Sequence, residues 1–322
     1  MRRLAVLTSG GDAPGMNAAI RAVTRTAISV GVDVVGVRRG FAGLIDADFV
    51  PLGARQVSGI IEMGGTFLES ARCPQFKTLE GQQLALSNLA KNVIDGLVVI
   101  GGNGSQTGAH SLVRLGFPVN GVASTIDNDL FGSDLTIGVD TALNTALDAI
   151  DKLRTTATSH HRLFIVEVMG RDCGYLALAS GVAGGAEVVV TPEFDLTPDD
   201  VVRMVHKARE RGKMHAIIVV AEGCVNRAQE IYDALKADVG AGFDPRLTII
   251  GHVQRGGRPS AFDRLLATRL GARAAELLME GKSGCLLGVI NNVAVATPYD
   301  DVTGVKKPLP EELVRLAGSM SI

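Results

Sequence analysis

The chain has 322 residues, of which 46% are hydrophobic and 20% charged, so it is long enough for two domains and too apolar for a disordered protein. Its net charge of −2 and its lack of tryptophan argue against a broad surface for nucleic acid or anionic membrane, so any bound anion must meet a local cluster. The four cysteines stand far apart, and no apolar run approaches the roughly 20 residues that span a bilayer. We therefore expect a cytoplasmic protein.

Short apolar runs alternate with amphipathic segments along most of the chain. We expect buried parallel strands at residues 4–7, 32–37, 97–100, 119–123, 163–168, 216–220 and 247–250. We expect helices at residues 16–30, 105–115, 141–155, 198–211 and 263–279, the last two with capping motifs that begin at Thr197 and Ser260. Residues 289–295, VINNVAV, indicate an antiparallel hairpin. The alternation predicts doubly wound α/β sheets, whose ligands collect beyond the carboxyl ends of the strands.

Two glycine-rich segments follow expected strands, and each opens a helix. They are residues 8–17, TSGGDAPGMN, and residues 99–105, VIGGNGS. Paired glycines let the backbone approach a ligand, and the helix N-terminus attracts anions. A tight corner explains one such turn as well, but two with the same pattern favour nucleotide phosphates. The Rossmann pattern fails at Thr107, and a Walker A pattern fails at Glu276.

Residues 124–129, STIDND, place two carboxylates after another expected strand. In an extended loop Asp127 and Asp129 would point the same way, because side chains alternate with a period of two. A phosphoryl transferase needs one carboxylate for the proton of the attacking hydroxyl and another for Mg²⁺. An Asx-turn explains the pattern equally well, so these residues alone leave both interpretations open.

Basic residues flank the later expected strands. Arg162 and Arg246 precede strands, whereas Arg171, His252 and Arg255 follow them. The guanidinium fork suits phosphate oxygens, although a single arginine is usually a solvated surface charge. We expect these groups to lie on one side of a sheet and to form an anion site there.

Several of these segments resemble the phosphofructokinase family. The resemblance lies in residues 7–17 (LTSGGDAPGMN), 64–66 (GGT), 125–129 (TIDND), 167–171 (EVMGR) and 251–257 (GHVQRGG), which occur in the family's order along nearly the whole chain. It implies two doubly wound, mostly parallel-sheet α/β domains with the active site in the cleft between them. The nucleotide-binding domain would comprise residues 1–139 and 256–305, and the sugar-phosphate-binding domain residues 140–255 and 306–322.

The resemblance also implies a reaction, the ATP-dependent phosphorylation of fructose 6-phosphate at its 1-hydroxyl in glycolysis, with Mg²⁺. ATP would be held by Gly11, Arg72, Cys73, Gly102, Asn103, Gly104 and Ser105, with Asp129 and Asn103 on the magnesium side. Catalysis would rest on Asp127 as the base, helped by Thr125, Arg171, Gly11 and Arg72. The sugar phosphate would meet Thr125, Ile126, Asp127, Arg162, Met169, Gly170, Arg171, Glu222, Arg246, His252 and Arg255. Some of these would come from a neighbouring subunit, so the resemblance implies a homotetramer.

Bacterial members of the family bind an allosteric nucleotide or phosphoenolpyruvate between subunits. The matching positions are Arg21, Arg25, Arg154, Glu187, Arg211 and Lys213. Ala54 and Gly59 stand where arginine and aspartate are typical, and Arg55 replaces an aromatic residue that would stack on adenine. We therefore expect weak or altered activation by ADP.

Two positions bear on the phosphoryl donor and the metal. Members that use pyrophosphate carry an acidic residue at position 104 and lysine at position 124, whereas this chain has Gly104 and Ser124, which favour ATP. Asn103 replaces the usual aspartate, so we expect weaker dependence on Mg²⁺ rather than inactivity. The alternatives are a pyrophosphate-dependent enzyme and a non-catalytic regulatory nucleotide-binding subunit. The presence of Asp127, Asp129 and Arg171 argues against the latter.

Overall fold

The computed structural model describes residues 1–194, 196–238, 240 and 242–320, and it divides the chain into two compact units. Unit 1 comprises Met1–Thr141 and Gly256–Lys307, and unit 2 comprises Ala142–Arg255 and Pro308–Ile322. The division falls two residues from the expected domain boundaries at 139/140 and 305/306, and it coincides with the one at 255/256. The nucleotide-binding and sugar-phosphate-binding roles of the two units stay predictions.

Strands and helices alternate through both units. The strands are β1 (Arg3–Thr8), β2 (Asp33–Val37), β3 (Phe49–Leu52), β4 (Gly96–Gly101), β5 (Val119–Ala123), β6 (Arg162–Val168), β7 (Val188–Val190), β8 (Ala216–Ala221), β9 (Asp244–Ile249), β10 (Cys285–Ile290) and β11 (Val293–Pro298). The helices are α1 (Met16–Ser29), α2 (Phe41–Asp46), α3 (Leu79–Lys91), α4 (Asn103–Arg114), α5 (Val139–His160), α6 (Tyr175–Ala183), α7 (Pro198–Glu210), α8 (Ala228–Ala237), α9 (Ala261–Met279), α10 (Tyr299–Val302) and α11 (Glu311–Met320). Short 3₁₀ helices cover Pro74–Lys77 and Gly251–Arg255.

The sheet of unit 1 has the strand order β11-β10-β5-β4-β1-β2-β3. Its inner strands run parallel, and the two edge strands β3 and β11 pair antiparallel with their neighbours. The central strands are buried on both faces, so their sequences are continuous apolar runs. Because β5, β4 and β1 are adjacent, the loops that follow them leave the same edge of the sheet.

Helices cover the sheet of unit 1. α1 packs against α9, and the two backbones approach closely where Gly271 faces Ala19, since a Cβ at position 271 would lie 2.8 Å from the Ala19 carbonyl oxygen. Another core cluster joins the strands to α4 through side chains such as Leu97 and Leu112. Full burial of each leucine contributes roughly 1.5–3 kcal/mol relative to exposure. This packing fixes the sheet edge from which the site loops extend.

The sheet of unit 2 has the order β7-β8-β6-β9, and every pair is parallel. β6 and β8 form the centre of its core with side chains such as Ile165 and Ile218, and α11 packs against α6. β9 is an edge strand in which Ile249 is 59% exposed. The sequence predicted a buried strand at residues 247–250, which was wrong in both its start and its burial. β9 already begins at Asp244, so Arg246 lies within it rather than before it.

Local capping and turn predictions are confirmed in part. Thr197 accepts a hydrogen bond from the Asp200 amide at 3.2 Å, and Asp200 accepts one from the Thr197 amide at 2.9 Å, a complete capping box. The hairpin of β10 and β11 turns on two asparagines at residues 291–292, both with positive φ. Ser260 caps α9, but the carboxylate three residues later bonds elsewhere. Within the described ranges, no helix is long and apolar enough to span a bilayer.

Candidate active site

Three loops of unit 1 meet where β1, β4 and β5 end. A Cβ placed on Gly101, at the end of β4, would lie 2.6 Å from the carbonyl oxygen of Ser9. A Cβ placed on Gly102 would lie 3.2 Å from the Cβ of Thr125. The loops are therefore in van der Waals contact. This contact brings the two glycine-rich segments and the carboxylate segment of residues 124–129 into one site.

The loop after β1 is a tight turn against the start of α4. The Ser9 amide donates to the Ile100 carbonyl at 3.0 Å and so joins the loop to β4. Gly10 has a φ of +82°, and a Cβ there would lie 3.1 Å from Oγ of Ser105, which is buried. A left-handed backbone with so little space favours glycine. Gly11, the next residue, is half-buried beside this contact.

The segment that carries Arg72 and Cys73 is tied to the same loop. Oγ of Ser70 donates to the Gly10 carbonyl at 2.6 Å. Cys73 is half-buried and precedes the 3₁₀ helix at Pro74–Lys77, whereas Arg72 is exposed. A guanidinium held next to a glycine-rich loop has the reach and the charge to bind phosphate oxygens.

The N-terminus of α4 offers backbone N–H groups to an anion. The helix begins at Asn103 after Gly102, and within the described residues no side chain caps it. The first amides of a helix lack intrahelical partners and carry the positive end of its dipole, so they suit a phosphate. Gly104 is exposed, and a Cβ there would meet no described atom within 4 Å. The space over this turn is therefore open to a ligand.

The residues after β5 form a turn rather than the extended loop that the sequence predicted. Asn128 has a φ of +53°, so the alternation of side chains in a strand does not apply to Asp127 and Asp129, and that premise was wrong. Asp127 is 6% exposed, and its amide donates to Oγ1 of Thr125 at 3.2 Å. Asp129 is half-buried. Ile126 is 3% exposed, so the structure offers no support for its side chain as a contact with the substrate.

Asn103 and Asp129 are joined side by side. Nδ2 of Asn103 donates to the carbonyl oxygen of Asp129 at 3.2 Å, which couples the start of α4 to the turn after β5. One carboxylate and one amide oxygen are acceptable to Mg²⁺ when water and substrate phosphates supply its other ligands. No group of three or more His, Cys, Asp or Glu in the described part of the chain could hold a metal ion. The residues therefore fit a magnesium ion shared with a nucleotide rather than a dedicated protein site.

Gln106 and Tyr299 hold the loop after β4 from inside the unit, and sequence analysis missed both. Nε2 of Gln106 donates to the Gly101 carbonyl at 2.9 Å, and its Oε1 accepts a hydrogen bond from the Tyr299 hydroxyl at 3.0 Å. Both side chains are buried, and a Cβ at Gly121 would lie 2.0 Å from the same Oε1. Gln106 and Tyr299 stand 193 residues apart, so no local pattern connects them.

In unit 2 two side chains hold the turn after β6. Oε1 of Glu222 accepts hydrogen bonds from the amides of Gly170 and Arg171 at 3.2 and 3.0 Å. Oε1 of Gln254 accepts one from the Met169 amide at 2.8 Å. Arg171 has a φ of +48°, a strained conformation for a non-glycine residue, and these bonds stabilise it. Glu222, expected at the sugar, thus also shapes the turn, and Gln254 is a buried residue that sequence analysis missed.

A cavity of about 480 Å³ adjoins this turn within unit 2. It is lined by Glu167, Arg171, Asp172, Glu222, Gly223, Cys224 and Arg227. Burial raises the pKa of Glu167 above its ordinary value, and the nearby charge of Glu222 adds to this effect. Arginines and carboxylates together suit a ligand that carries both anionic and hydroxyl groups.

His252 and Arg255 follow β9 in the 3₁₀ helix at Gly251–Arg255. Because β6 and β9 are parallel neighbours, this helix and Arg171 lie at the same edge of the sheet. His252 is exposed and Arg255 is half-buried. The carboxyl edge of unit 2 therefore presents three basic groups, as the sequence predicted for these residues.

Arg162 and Arg246 lie at the opposite end of the same sheet. Arg162 is the first residue of β6, and Arg246 is the third residue of β9. They share Asp244, whose carboxylate lies 3.4 Å from Nε of Arg162 and 2.6 Å from Nη1 of Arg246. Since β6 has seven residues, about 20 Å separates Arg162 from the turn that carries Arg171. The prediction that all these arginines share one side of the sheet was wrong.

The expected effector residues are divided between the units. They are Arg21 and Arg25 on α1 in unit 1, and Arg154, Glu187, Arg211 and Lys213 in unit 2. Nζ of Lys213 donates to Oε1 of Glu187 at 3.0 Å, and Nη2 of Arg154 donates to the Gly185 carbonyl at 2.8 Å. Nε of Arg21 is buried without a hydrogen-bond partner among the described residues. What these groups bind stays a prediction.

Comparison with known proteins shows which protein family this chain resembles. The profile of the family named Phosphofructokinase matches residues 3–278. The ATP-dependent 6-phosphofructokinase of Listeria welshimeri is 54% identical over 322 residues, which cover 100% of both chains. Those of Halalkalibacterium halodurans and Bacillus pumilus are 52% and 51% identical, again over 100% of both chains.

Solved structures give the same result. The phosphofructokinase of Pichia pastoris is 35% identical with a TM-score of 0.89, and the alignment covers 99% of this chain and 36% of that one. This chain thus spans about a third of that relative. A pyrophosphate-dependent phosphofructokinase of Marinobacter aquaeolei, 21% identical over 99% of this chain and 91% of that one, has a TM-score of 0.86 and supports the fold alone. Fold, site loops and full-length relatives agree, and the chain belongs to the phosphofructokinase family.

Proposed function

We propose that this chain transfers the terminal phosphoryl group of ATP to the 1-hydroxyl of fructose 6-phosphate, giving fructose 1,6-bisphosphate and ADP, a step of glycolysis. The observation that carries the proposal is the 54% identity, over the full length, to a curated ATP-dependent 6-phosphofructokinase. The contact between two glycine-rich loops and a turn with two carboxylates supports it, because phosphoryl transfer needs a phosphate cradle, a base and a metal ligand in one place.

The residues of unit 1 would bind the nucleotide and receive the proton. ATP would lie against Gly11, Arg72, Cys73, Gly102, Gly104 and Ser105, with phosphate oxygens at the N-terminus of α4. Asp127, nearly buried in its turn, would accept the proton of the sugar hydroxyl. Mg²⁺ would be held by Asp129 with Asn103 nearby, and when bound it would neutralise charge on the transferring phosphoryl group.

The residues of unit 2 would bind the sugar phosphate and the transferring group. Arg171, together with Thr125 of unit 1, would donate hydrogen bonds to phosphoryl oxygens, as an exposed guanidinium and a hydroxyl can. Met169, Gly170, Glu222, His252 and Arg255 would contact the sugar phosphate. Arg162, about 20 Å away along the sheet, and Arg246, which pairs with Phe164 about 13 Å from the end of β6, would serve the site of a neighbouring copy instead. A homotetramer remains the expected assembly on the family's example.

ATP is the donor that the site favours over pyrophosphate. A Cβ at Gly104 would meet no described atom, so the space that an aspartate would fill is free for the α-phosphate. Ser124, where pyrophosphate users carry lysine, is fully buried, and its Oγ has no hydrogen-bond partner among the described residues. A buried lysine there would lack room and solvation. Weak or altered activation by ADP and a cytoplasmic location stay predictions.

A coupled assay of fructose 1,6-bisphosphate formation tests the proposal with ATP or pyrophosphate as donor. We expect turnover with ATP alone, and we expect Asp127→Asn to lower kcat by about 10²–10⁴-fold because the general base is lost. Asp33→Asn, which removes an exposed carboxylate at the start of β2, is the matched control and should retain wild-type turnover. If turnover occurs with pyrophosphate alone, ATP is rejected as the donor. If no turnover occurs with either donor, the result supports the regulatory alternative.

A further inference from the structure

The turn that carries Asp127 and Asp129 is held by the residue between them. Asn128 is 1% exposed and left-handed, with a φ of +53°. Its Nδ2 donates to the Asp134 carbonyl at 3.1 Å, and its Oδ1 accepts a hydrogen bond from the Thr136 amide at 3.2 Å. The side chain therefore fastens the turn to the segment that follows it, and both of its polar atoms are satisfied.

Lys307 completes this arrangement from far along the chain. Its Nζ donates to Oδ1 of Asn128 at 3.0 Å and to the Asp134 carbonyl at 2.8 Å. The lysine thus contacts the Asn128 side chain through Oδ1 and also the Asp134 carbonyl oxygen to which Nδ2 of Asn128 donates. Bonds from a charged donor are stronger than those between neutral groups. The preceding residue, Lys306, pairs with Leu130 as a β-bridge, which fixes the backbone that delivers Lys307.

Two further bonds secure the same segment on its other side. Oγ1 of Thr136 donates to the Thr125 carbonyl at 2.6 Å, and the Ile137 amide donates to the Ala123 carbonyl at 3.0 Å. The start of the turn is therefore fixed by Thr136 and its middle by Asn128. A left-handed asparagine is a strained backbone conformation, and these contacts stabilise it in a single geometry between the two carboxylates.

We propose that Asn128 and Lys307 are positioning residues that hold Asp127 and Asp129 in place for phosphoryl transfer. The inference rests on the proposed function, in which Asp127 is the base. Neither residue needs to touch substrate. Displacement of a reacting group by about 1 Å can cost up to roughly 10²-fold in rate, so a loosened turn should lower kcat more than it weakens binding.

Lys307→Met tests the lysine because methionine keeps a similar apolar stem and removes the donors. We expect kcat to fall about tenfold while the KM values for ATP and fructose 6-phosphate stay within about twofold. Lys307→Arg retains a charged donor and should recover most of the loss. Lys306→Met removes the neighbouring, exposed positive charge and should behave as wild type. An unchanged kcat in Lys307→Met, or an equal loss in Lys306→Met, would overturn the proposal.

Asn128→Gly tests the asparagine independently of backbone strain, because glycine adopts the left-handed conformation freely. We expect a larger fall in kcat than in Lys307→Met, since the side-chain bonds of Asn128 with Asp134, Thr136 and Lys307 are all lost. Amide hydrogen exchange of residues 125–136 gives a readout without turnover, and it should be faster in both variants than in wild type. Wild-type exchange in both variants would overturn the inference even if the proteins were inactive for another reason.

Asp127→Asn separates this inference from the proposed function. If Asp127→Asn is inactive while Lys307→Met and Asn128→Gly match the wild type, the function stands and the positioning role is rejected. If Asp127→Asn keeps full activity, the proposed base is rejected, whereas the exchange measurement still decides whether Asn128 and Lys307 hold the turn.

Discussion

Unit 1 and unit 2 use the same α/β construction but distribute their expected site residues differently. In unit 1 the loops after β1, β4 and β5 touch one another at a single edge of the sheet. In unit 2 the turn with Arg171 lies at the carboxyl edge, and Arg162 and Arg246 lie at the amino edge, joined by Asp244. A parallel sheet gathers residues that follow its strands, whereas residues that begin a strand face the other end. Under the proposed function, the second group would serve the site of a neighbouring copy.

Mixed assemblies provide the strongest test of this difference. Arg162→Ala alone should raise the KM for fructose 6-phosphate by about 10–100-fold, the value of charge-assisted phosphate bonds. If Arg162 serves a neighbouring copy, co-expression with Asp127→Asn should restore about a quarter of wild-type turnover at fructose 6-phosphate concentrations far below the raised KM, because random pairing leaves one site in four with both native parts. Differently tagged copies would allow the hybrids to be isolated and assayed.

The matched control for this experiment is Arg171→Ala, since Arg171 lies at the other edge of the same sheet. Hybrids of Arg171→Ala and Asp127→Asn should stay inactive if both residues serve the site of their own chain. If the Arg162→Ala hybrids recover no turnover, Arg162 acts within its own chain. The carboxyl and amino edges of the unit 2 sheet would then not serve the sites of different copies.

The sequence predicted the buried strands well because residues buried on both faces must be apolar along their whole length. β9 does not follow this rule, because it is only partly buried. It lies at the sheet edge and begins with Asp244 and Pro245, which are depleted in strands, so only its apolar second half was predicted. The strands β3 and β7 and the helices α2, α3, α6, α8, α10 and α11 were not predicted either. Tertiary packing rather than a strong local pattern decides such short or weakly amphipathic elements.

The site was predictable where the signal is local. Glycine pairs after a strand, as at residues 10–11, indicate a close backbone approach, which the structure shows, whereas the acid–base and metal roles of Asp127 and Asp129 stay predictions. The residues that hold these groups were not predictable. Gln254, Tyr299 and Lys307 act through hydrogen bonds to residues 85, 193 and 179 positions away. Such roles depend on the folded chain and leave no periodic or motif signal.

A substitution of Asp263 tests how much its buried hydrogen bonds stabilise unit 1. Its Oδ1 accepts a hydrogen bond from the Gly138 amide at 2.8 Å, and its Oδ2 accepts two from Thr141. Its backbone also lies near Gly15, where a Cβ would be 3.4 Å from the Asp263 carbonyl oxygen. Asp263→Asn places an amide donor against existing donors, so we expect a loss of about 2–4 kcal/mol in the free energy of unfolding near neutral pH.

The loss should depend on pH in a defined direction. Burial raises the pKa of Asp263 above 3.8 despite the hydrogen bonds from Thr141 and Gly138. The folded state therefore binds the proton more tightly than the unfolded state does. The stability gained from this protonation is complete at a pH below 3.8, the pKa of the unfolded chain, and it is lost as the pH rises through the higher pKa of the folded state. The difference between wild type and Asp263→Asn in urea unfolding should narrow over that interval. Asp301→Asn, at an exposed position of α10, should show no such trend.

Asn103→Asp should produce the smallest effect, and it tests the coupling of two loops within unit 1. The change adds a second carboxylate beside Asp129, so half-saturation with Mg²⁺ should fall on the order of threefold to tenfold, because affinity follows ligand charge. It also removes the Nδ2 donor that bonds the Asp129 carbonyl at 3.2 Å, which limits the gain. A magnesium titration of ATP turnover measures this, with Asn92→Asp at the C-terminal end of α3 as control. An unchanged half-saturation point would mean that position 103 does not influence the metal, and Asn103 would then serve only to join α4 to the turn after β5.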